Sequence, residues 1–272
     1  MQPGAAPFTQ RTPRVIAARR LQRRRDRDAS GLFLAEGPQA VREAVDRPGC
    51  VVELFATSEA YERHSALVAA ARAGNATVSI VTDDGLTAVA ETVTPQGLVA
   101  VCRHLDVSLT DTLTRRPRLV AVLVGIRDPG NAGTILRTAD AAGADAVVFA
   151  GDAVDPYNGK AVRASAGSLF HVDVVRATDP TAVIATVRDA GLTVLAADAY
   201  GDQDLDTLAD DGALDGPTAW VFGSEAHGLP DDLAASTDAR VHVPLYGQAE
   251  SLNLAAAAAV CLYASARALR RP

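Results

Sequence analysis

Arg137 lies within LVGIRDPGNAGTILRTADAAGA, residues 123–144, where an apolar strand breaks into a Pro-Gly-Asn turn and continues with helical periodicity. An arginine so placed can clamp an anion, or stabilise one that forms during a reaction, because its guanidinium stays protonated and presents a planar fork of donors. Asn131, six residues earlier, reads as the N-cap of the helix, and Gly133 lets a backbone or ligand come close. The turn looks like a phosphate cradle. Yet Gly125, Gly130 and Gly133 fit neither the dinucleotide fingerprint G-x-G-x-x-G nor the Gly-Lys-Ser/Thr ending of a P-loop. Taken alone, Arg137 would be a surface residue paired with Asp140.

Two further loops carry comparable chemistry. FGSEAHGLP brings Ser224, Glu225 and His227 together, a grouping that suggests a hydrolase. Its spacing does not: a nucleophile elbow is G-x-S-x-G, and triad members normally meet from distant parts of a chain. PLYGQAESLNLAAAAAV carries Ser251 and Asn253 at the start of an alanine-rich helix, with Ser251 expected to cap it and Glu250 near its positive end. The alanines at 255–259 leave a smooth face for close packing, inside the fold or across a dimer.

These loops need a scaffold. The apolar runs LVAVLVGI, DAVVFA, FHVDVV, LTVLAADA, TAWVFG and ARVHVPL recur from residue 119 onward with helical segments between several of them, the pattern of a mostly parallel sheet covered on both faces. A ligand site on such a sheet lies at the carboxyl ends of its strands. All three loops follow such runs. Residues 31–108 alternate strand-like VVELFAT and TVSIV with helix-like PQAVREAVDR and SEAYERHSALVAAARAG, a small α/β domain, and residues 109–118 read as a linker.

Net charge is −7, but residues 11–30 hold eight arginines and two aspartates, leaving −13 for the remainder. Residues 1–30 therefore read as a basic arm on an acidic body, and Arg19, Arg20, Arg23 and Arg24 as candidate contacts to a polyanion such as RNA. The apolar run LNLAAAAAVCLYA falls short of the ~20 residues a membrane span takes. No apolar segment of a secretory signal follows the basic N-terminus, so a cytoplasmic protein is expected. Cys50, Cys102 and Cys261 lack the spacing of a metal or redox site.

The segments NAGTILRTADAAGA, VFGSEAHGL and VPLYGQAESLNLAAAAAVCLY resemble, in order and approximate spacing, the three motifs of the SpoU, or TrmH, family of RNA ribose 2′-O-methyltransferases, over about residues 119–272. FLAEGPQAVREAV is similar to the start of the small L30e-like RNA-binding domain of the rRNA-directed members. The resemblance implies an α/β SPOUT fold with a C-terminal trefoil knot, a homodimer, and S-adenosylmethionine as methyl donor without a metal. It implies Arg137, Asn131, Glu225, Ser251 and Asn253 as catalytic positions, backbone at Gly223, Val243 and Leu252 as the adenosine cradle, and Arg163 as a second RNA-contacting arginine. The implied substrate is ribosomal RNA, 23S foremost, favoured over tRNA by the separate N-terminal domain and arm. A tRNA substrate and a catalytically silent RNA-binding protein are the alternatives, and housekeeping and antibiotic-resistance roles are both compatible.

Overall fold

The computed structural model describes residues 6–271. The chain forms two compact units, one of residues 1–105 with 157–170 and one of residues 106–156 with 171–272, of which residues 1–5 and 272 lie outside the described residues. In the first unit α1 (Pro13–Arg20), α2 (Arg24–Ser30), β1 (Leu32–Glu36), α3 (Gly37–Asp46), β2 (Val51–Ala56), α4 (Ser58–Arg63), α5 (Ser65–Ala73), β3 (Thr77–Ile80), α6 (Asp83–Val89) and β4 (Leu98–Arg103) follow in order. Their strands form a sheet of order β1-β4-β2-β3, antiparallel except where β2 meets β3.

The second unit begins with α7 (Leu109–Thr114), β5 (Leu119–Val124), α8 (Pro129–Ala142) and β6 (Ala146–Ala150). The chain then gives α9 (Gly159–Ala164) to the first unit. It returns with β7 (Asp173–Ala177), α10 (Pro180–Asp189), β8 (Thr193–Ala197), β9 (Gln203–Asp204), α11 (Leu205–Asp210), β10 (Thr218–Phe222), α12 (Asp231–Ala235), β11 (Ala239–His242) and α13 (Leu254–Ala268). Seven parallel strands stand in the order β7-β6-β5-β10-β8-β11-β9. Strands β5, β6 and β10 are buried at every position, as continuous apolar runs require of a sheet covered on both faces. Because β10 pairs in register with β5, Phe222 opposite Leu123, the loops leaving those two strands emerge side by side.

Three expectations about the chain's organisation differ from the structure. The segment 11–30 is not a free arm: Val15, Ala18 and Leu21 are buried among Phe55, Val81, Leu86 and Val89. Their three-residue spacing gives the arginine-rich stretch one apolar helical face, which its average composition hides. Arg27 is buried as well, its Nη1 donating to the Leu21 carbonyl at 2.9 Å. Arg19, Arg20, Arg23 and Arg24 remain exposed.

Residues 109–118 are not an open linker either, because α7 packs Leu109 and Leu113, one helical turn apart, on the core of the second unit. Residues 157–170 belong to the first unit, where the Tyr157 hydroxyl accepts from the Leu105 backbone N–H at 2.7 Å and Phe33 stacks near Tyr157 and Phe170. All three cysteines are buried and unbridged. Among the described residues no helix is long and apolar enough to cross a membrane.

Candidate functional site

Asp128 precedes Pro129, and this pair starts α8: the Asp128 carboxylate accepts from the Asn131 backbone N–H at 2.8 Å, while proline occupies a position whose N–H has no helical partner. The expected N-cap, Asn131, is therefore inside the first turn with its side chain available for other contacts. Its Nδ2 donates to Glu225 Oε1 at 2.9 Å, and its Oδ1 accepts from Asn253 Nδ2 at 3.2 Å. Asn253, and not Ser251, caps α13, its Oδ1 accepting from the N–H groups of Ala255 and Ala256 at 2.9 and 3.3 Å. One chain of hydrogen bonds thus ties together the loops after β5, after β10 and before α13.

Glu225 sits at the tip of a tight turn closed by paired backbone hydrogen bonds between Ser224 and Gly228, at 3.0 and 2.9 Å. Gly223 has to be glycine because a Cβ there would collide with the Gly228 carbonyl carbon and the Leu229 nitrogen. The Glu225 carboxylate also accepts from the backbone N–H groups of Arg127 and Asp128, both at 3.3 Å. Partial burial works to raise the Glu225 carboxyl, but hydrogen bonds from the Asn131 side chain and from the backbone N–H of Glu225, Arg127 and Asp128 outweigh it and hold the group below the ordinary carboxylate range. At neutral pH it is an anion that fixes the first loop, and a poor proton acceptor.

Arg137 is exposed on α8, on the face opposite the buried Ile135, Leu136 and Ala139, and makes no hydrogen bond or ion pair among the described residues. The partner that spacing offered it, Asp140, is held instead by His171, Nδ1 to Oδ2 at 2.8 Å. Ser251 is exposed and outside the hydrogen-bonded chain. Val243 is half-buried just after β11, and Leu252 is exposed beside the α13 cap. Among the described residues, no backbone–backbone hydrogen bond is made by residues 244–252, so that loop's donors and acceptors are open to solvent or a ligand.

Arg163 departs from its expected place. It lies in the first unit, where its Nη1 meets Glu36 at 3.1 Å and Glu91 at 3.3 Å. Ser224 and His227 form no nucleophile pair: the Ser224 hydroxyl accepts from the His227 backbone N–H at 3.3 Å, an ordinary turn contact. The residues that sequence reading missed are Asp128, Arg127 and His171. Asp-Pro ahead of a helical pattern is a start signal that points to Asp128. Arg127 contributes through its backbone and His171 through a contact remote in sequence, neither of which leaves a local trace. No group of three or more His, Cys, Asp or Glu placed to hold a metal occurs among the described residues.

Residues 118–263 match the model of the SpoU rRNA Methylase family, more than half of the chain. The chain belongs to the SpoU rRNA methylase family. Residues 12–100 match the MRM3-like substrate binding domain, which takes in α1, α2 and the first unit's sheet up to Ala100. This SpoU member is 34% identical, over 90% of its length and 92% of the relative's, to the Bacillus subtilis 23S rRNA (guanosine(2553)-2′-O)-methyltransferase RlmP. Among solved structures it resembles the S-adenosylmethionine-bound rRNA methyltransferase of Sinorhizobium meliloti, with a TM-score of 0.87 and 31% identity over 98% of this chain and 99% of that one. The SpoU methyltransferase AviRb of Streptomyces viridochromogenes, also solved with S-adenosylmethionine, gives a TM-score of 0.82 and 30% identity over 94% and 98%.

Proposed function

We propose that this protein transfers a methyl group from S-adenosylmethionine to a ribose 2′-hydroxyl of ribosomal RNA, 23S rRNA by analogy with the relatives, in the cytoplasm. The observation that carries this reading is the hydrogen-bonded chain Asn253–Asn131–Glu225, which draws the three family motifs to the carboxyl ends of β5 and β10 and to the cap of α13. The loop of residues 244–252 fits a nucleoside-bearing donor, offering unpaired backbone groups beside the exposed apolar side chains Leu245 and Leu252. When bound, S-adenosylmethionine supplies an electrophilic methyl on its sulfonium. Gly223, Val243 and Leu252 are the backbone positions that would hold its adenosine.

The protein's share of such a displacement is positioning and charge stabilisation. Arg137 carries a guanidinium, which offers donors and no acceptor, and its free, exposed position suits it to the oxygen on which negative charge develops. The hydroxyl proton leaves to an RNA phosphate or to water. Asn131, Glu225 and Asn253 hold the three loops to one another, and Ser251 is left with donor or ribose contacts on entry of substrate. We further infer the family's trefoil knot and a homodimer. Ala255 and Ala258 are buried within the chain itself, so the dimer surface would be the solvent face of α13, where Val260 and Tyr263 are exposed.

The test is direct: intact protein, S-adenosylmethionine and ribosomal RNA yield a mapped 2′-O-methyl on one nucleotide, and RNA that gains no such methyl would refute the reading. The exposed arginines in and between α1 and α2 serve as the RNA's electrostatic hold. Replacing Arg19, Arg20, Arg23 and Arg24 by glutamine, which keeps the buried face of the helices, is expected to weaken binding to all RNAs alike and to flatten the dependence of affinity on salt by up to about 0.7–0.9 per lost phosphate contact. An unchanged salt slope removes these arginines from the interface.

A further inference from the structure

We propose that His171 is a positioning residue for Arg137, acting by occupying Asp140, an inference that rests on Arg137 being the group that stabilises the ribose oxygen. Arg137 and Asp140 stand three residues apart on α8, the spacing at which an arginine and an aspartate meet on a helix surface. No other lysine or arginine lies between residues 136 and 144, so along its own helix Asp140 has Arg137 alone as a cationic neighbour. The pair nevertheless does not form. Asp140 Oδ2 meets His171 Nδ1 at 2.8 Å, and Arg137 is left without a partner among the described residues.

The consequence for chemistry follows from charge. A guanidinium paired with a carboxylate has spent its fork on an anion already present, and it offers less to one that develops only in the transition state. Either protonation state of His171 can hold Asp140, by an Nδ1–H donor alone or with added charge. Asp140 is 29% exposed and His171 44%, so the contact is partly screened and its effect moderate. Its value lies in what it prevents. His171 comes from the segment that runs into β7, far from α8 in sequence, and its imidazole serves as a decoy that leaves Arg137 unspent.

The experiment uses the intact protein, ribosomal RNA and saturating S-adenosylmethionine, and compares kcat for His171→Ala, Asp140→Asn and the double variant, with melting temperatures alongside. His171→Ala is expected to lower kcat about two- to five-fold, the range of a new exposed ion pair at Arg137, with donor affinity unchanged. Asp140→Asn should transfer at the parent rate. In the double variant the competing carboxylate is gone, and kcat should return to the parent value even if the melting temperature does not. His171→Gln, whose amide can still donate to Asp140, should stay close to the parent. An unaltered kcat in His171→Ala overturns the proposal, and so does a double variant as slow as the single one, which would mark His171 as merely structural. Full activity in Arg137→Ala is a separate outcome: it removes the role of Arg137, and the inference falls with it.

Discussion

Arg137→Ala is expected to cut methyl transfer by about 10²–10³-fold, the loss seen when one oxyanion donor is removed, while S-adenosylmethionine binds almost as before. The reason is that the guanidinium has no ground-state partner among the described residues, so its contribution appears only when the ribose oxygen becomes charged. Arg137→Lys should fail substantially too, because an ammonium is a point charge and lacks the planar fork able to hold a phosphate and the ribose oxygen at once. Were Arg137 an ordinary surface cation, both variants would turn over normally and lose less than ~1 kcal/mol of stability. Calorimetric titration of the donor, run beside transfer of a labelled methyl group to ribosomal RNA, separates these cases. A fully active Arg137→Ala protein would end the proposed mechanism.

Asn131→Asp should be nearly as damaging by a different route. The substitution keeps size and shape but replaces the Nδ2–H that donates to Glu225 at 2.9 Å with a carboxylate oxygen facing another carboxylate. Like charges so placed repel even where solvent screens them, so the Glu225 carboxyl is pushed up and the turn it anchors to Arg127 and Asp128 loosens. A loss of about 10²-fold in transfer is the expected scale for a site displaced by roughly 1 Å. Asn131→Ala, which removes the donor without adding charge, should lose less. Transfer at the parent rate in both variants would show that the link between the loops carries no weight in catalysis, and an aspartate form more active than the alanine form would remove charge repulsion as the cause of the loss.

The three loops were legible in the sequence because each sets small or glycine residues and a few polar side chains after an apolar run, a combination that ordinary turns do not require. The strands were legible for the same local reason: LVAVLV, AVVFA and TAWVF are continuous apolar runs and are buried at every position. The caps were misplaced by a few residues. Asp128 and Asn131, like Ser251 and Asn253, are both of capping type, and local chemistry alone does not choose between them. The choice is tertiary, since Asn131 is drawn to Glu225 and Asn253, which lie far along the chain. The ion pairs of Arg163 were illegible for a related reason, because nothing near it in sequence announces that Glu36 and Glu91 will meet it. Strand order was beyond reach, since the insertion of β10 between β5 and β8 depends on pairings remote in sequence.

The first unit is discontinuous, and that gives the chain a schedule during synthesis. Residues 1–105 leave the ribosome well before Tyr157, Leu169 and Phe170, which complete their core around Phe33. At ~5–20 residues per second the nascent substrate-binding unit waits roughly 3–13 s for its last pieces. During that wait β5, α8 and β6 are already made. The order of emergence therefore ties completion of the first unit to synthesis of the second: the earlier one cannot finish until the later one has begun. A nascent chain arrested between residues 105 and 156 would display an unfinished apolar surface, a natural client for chaperones.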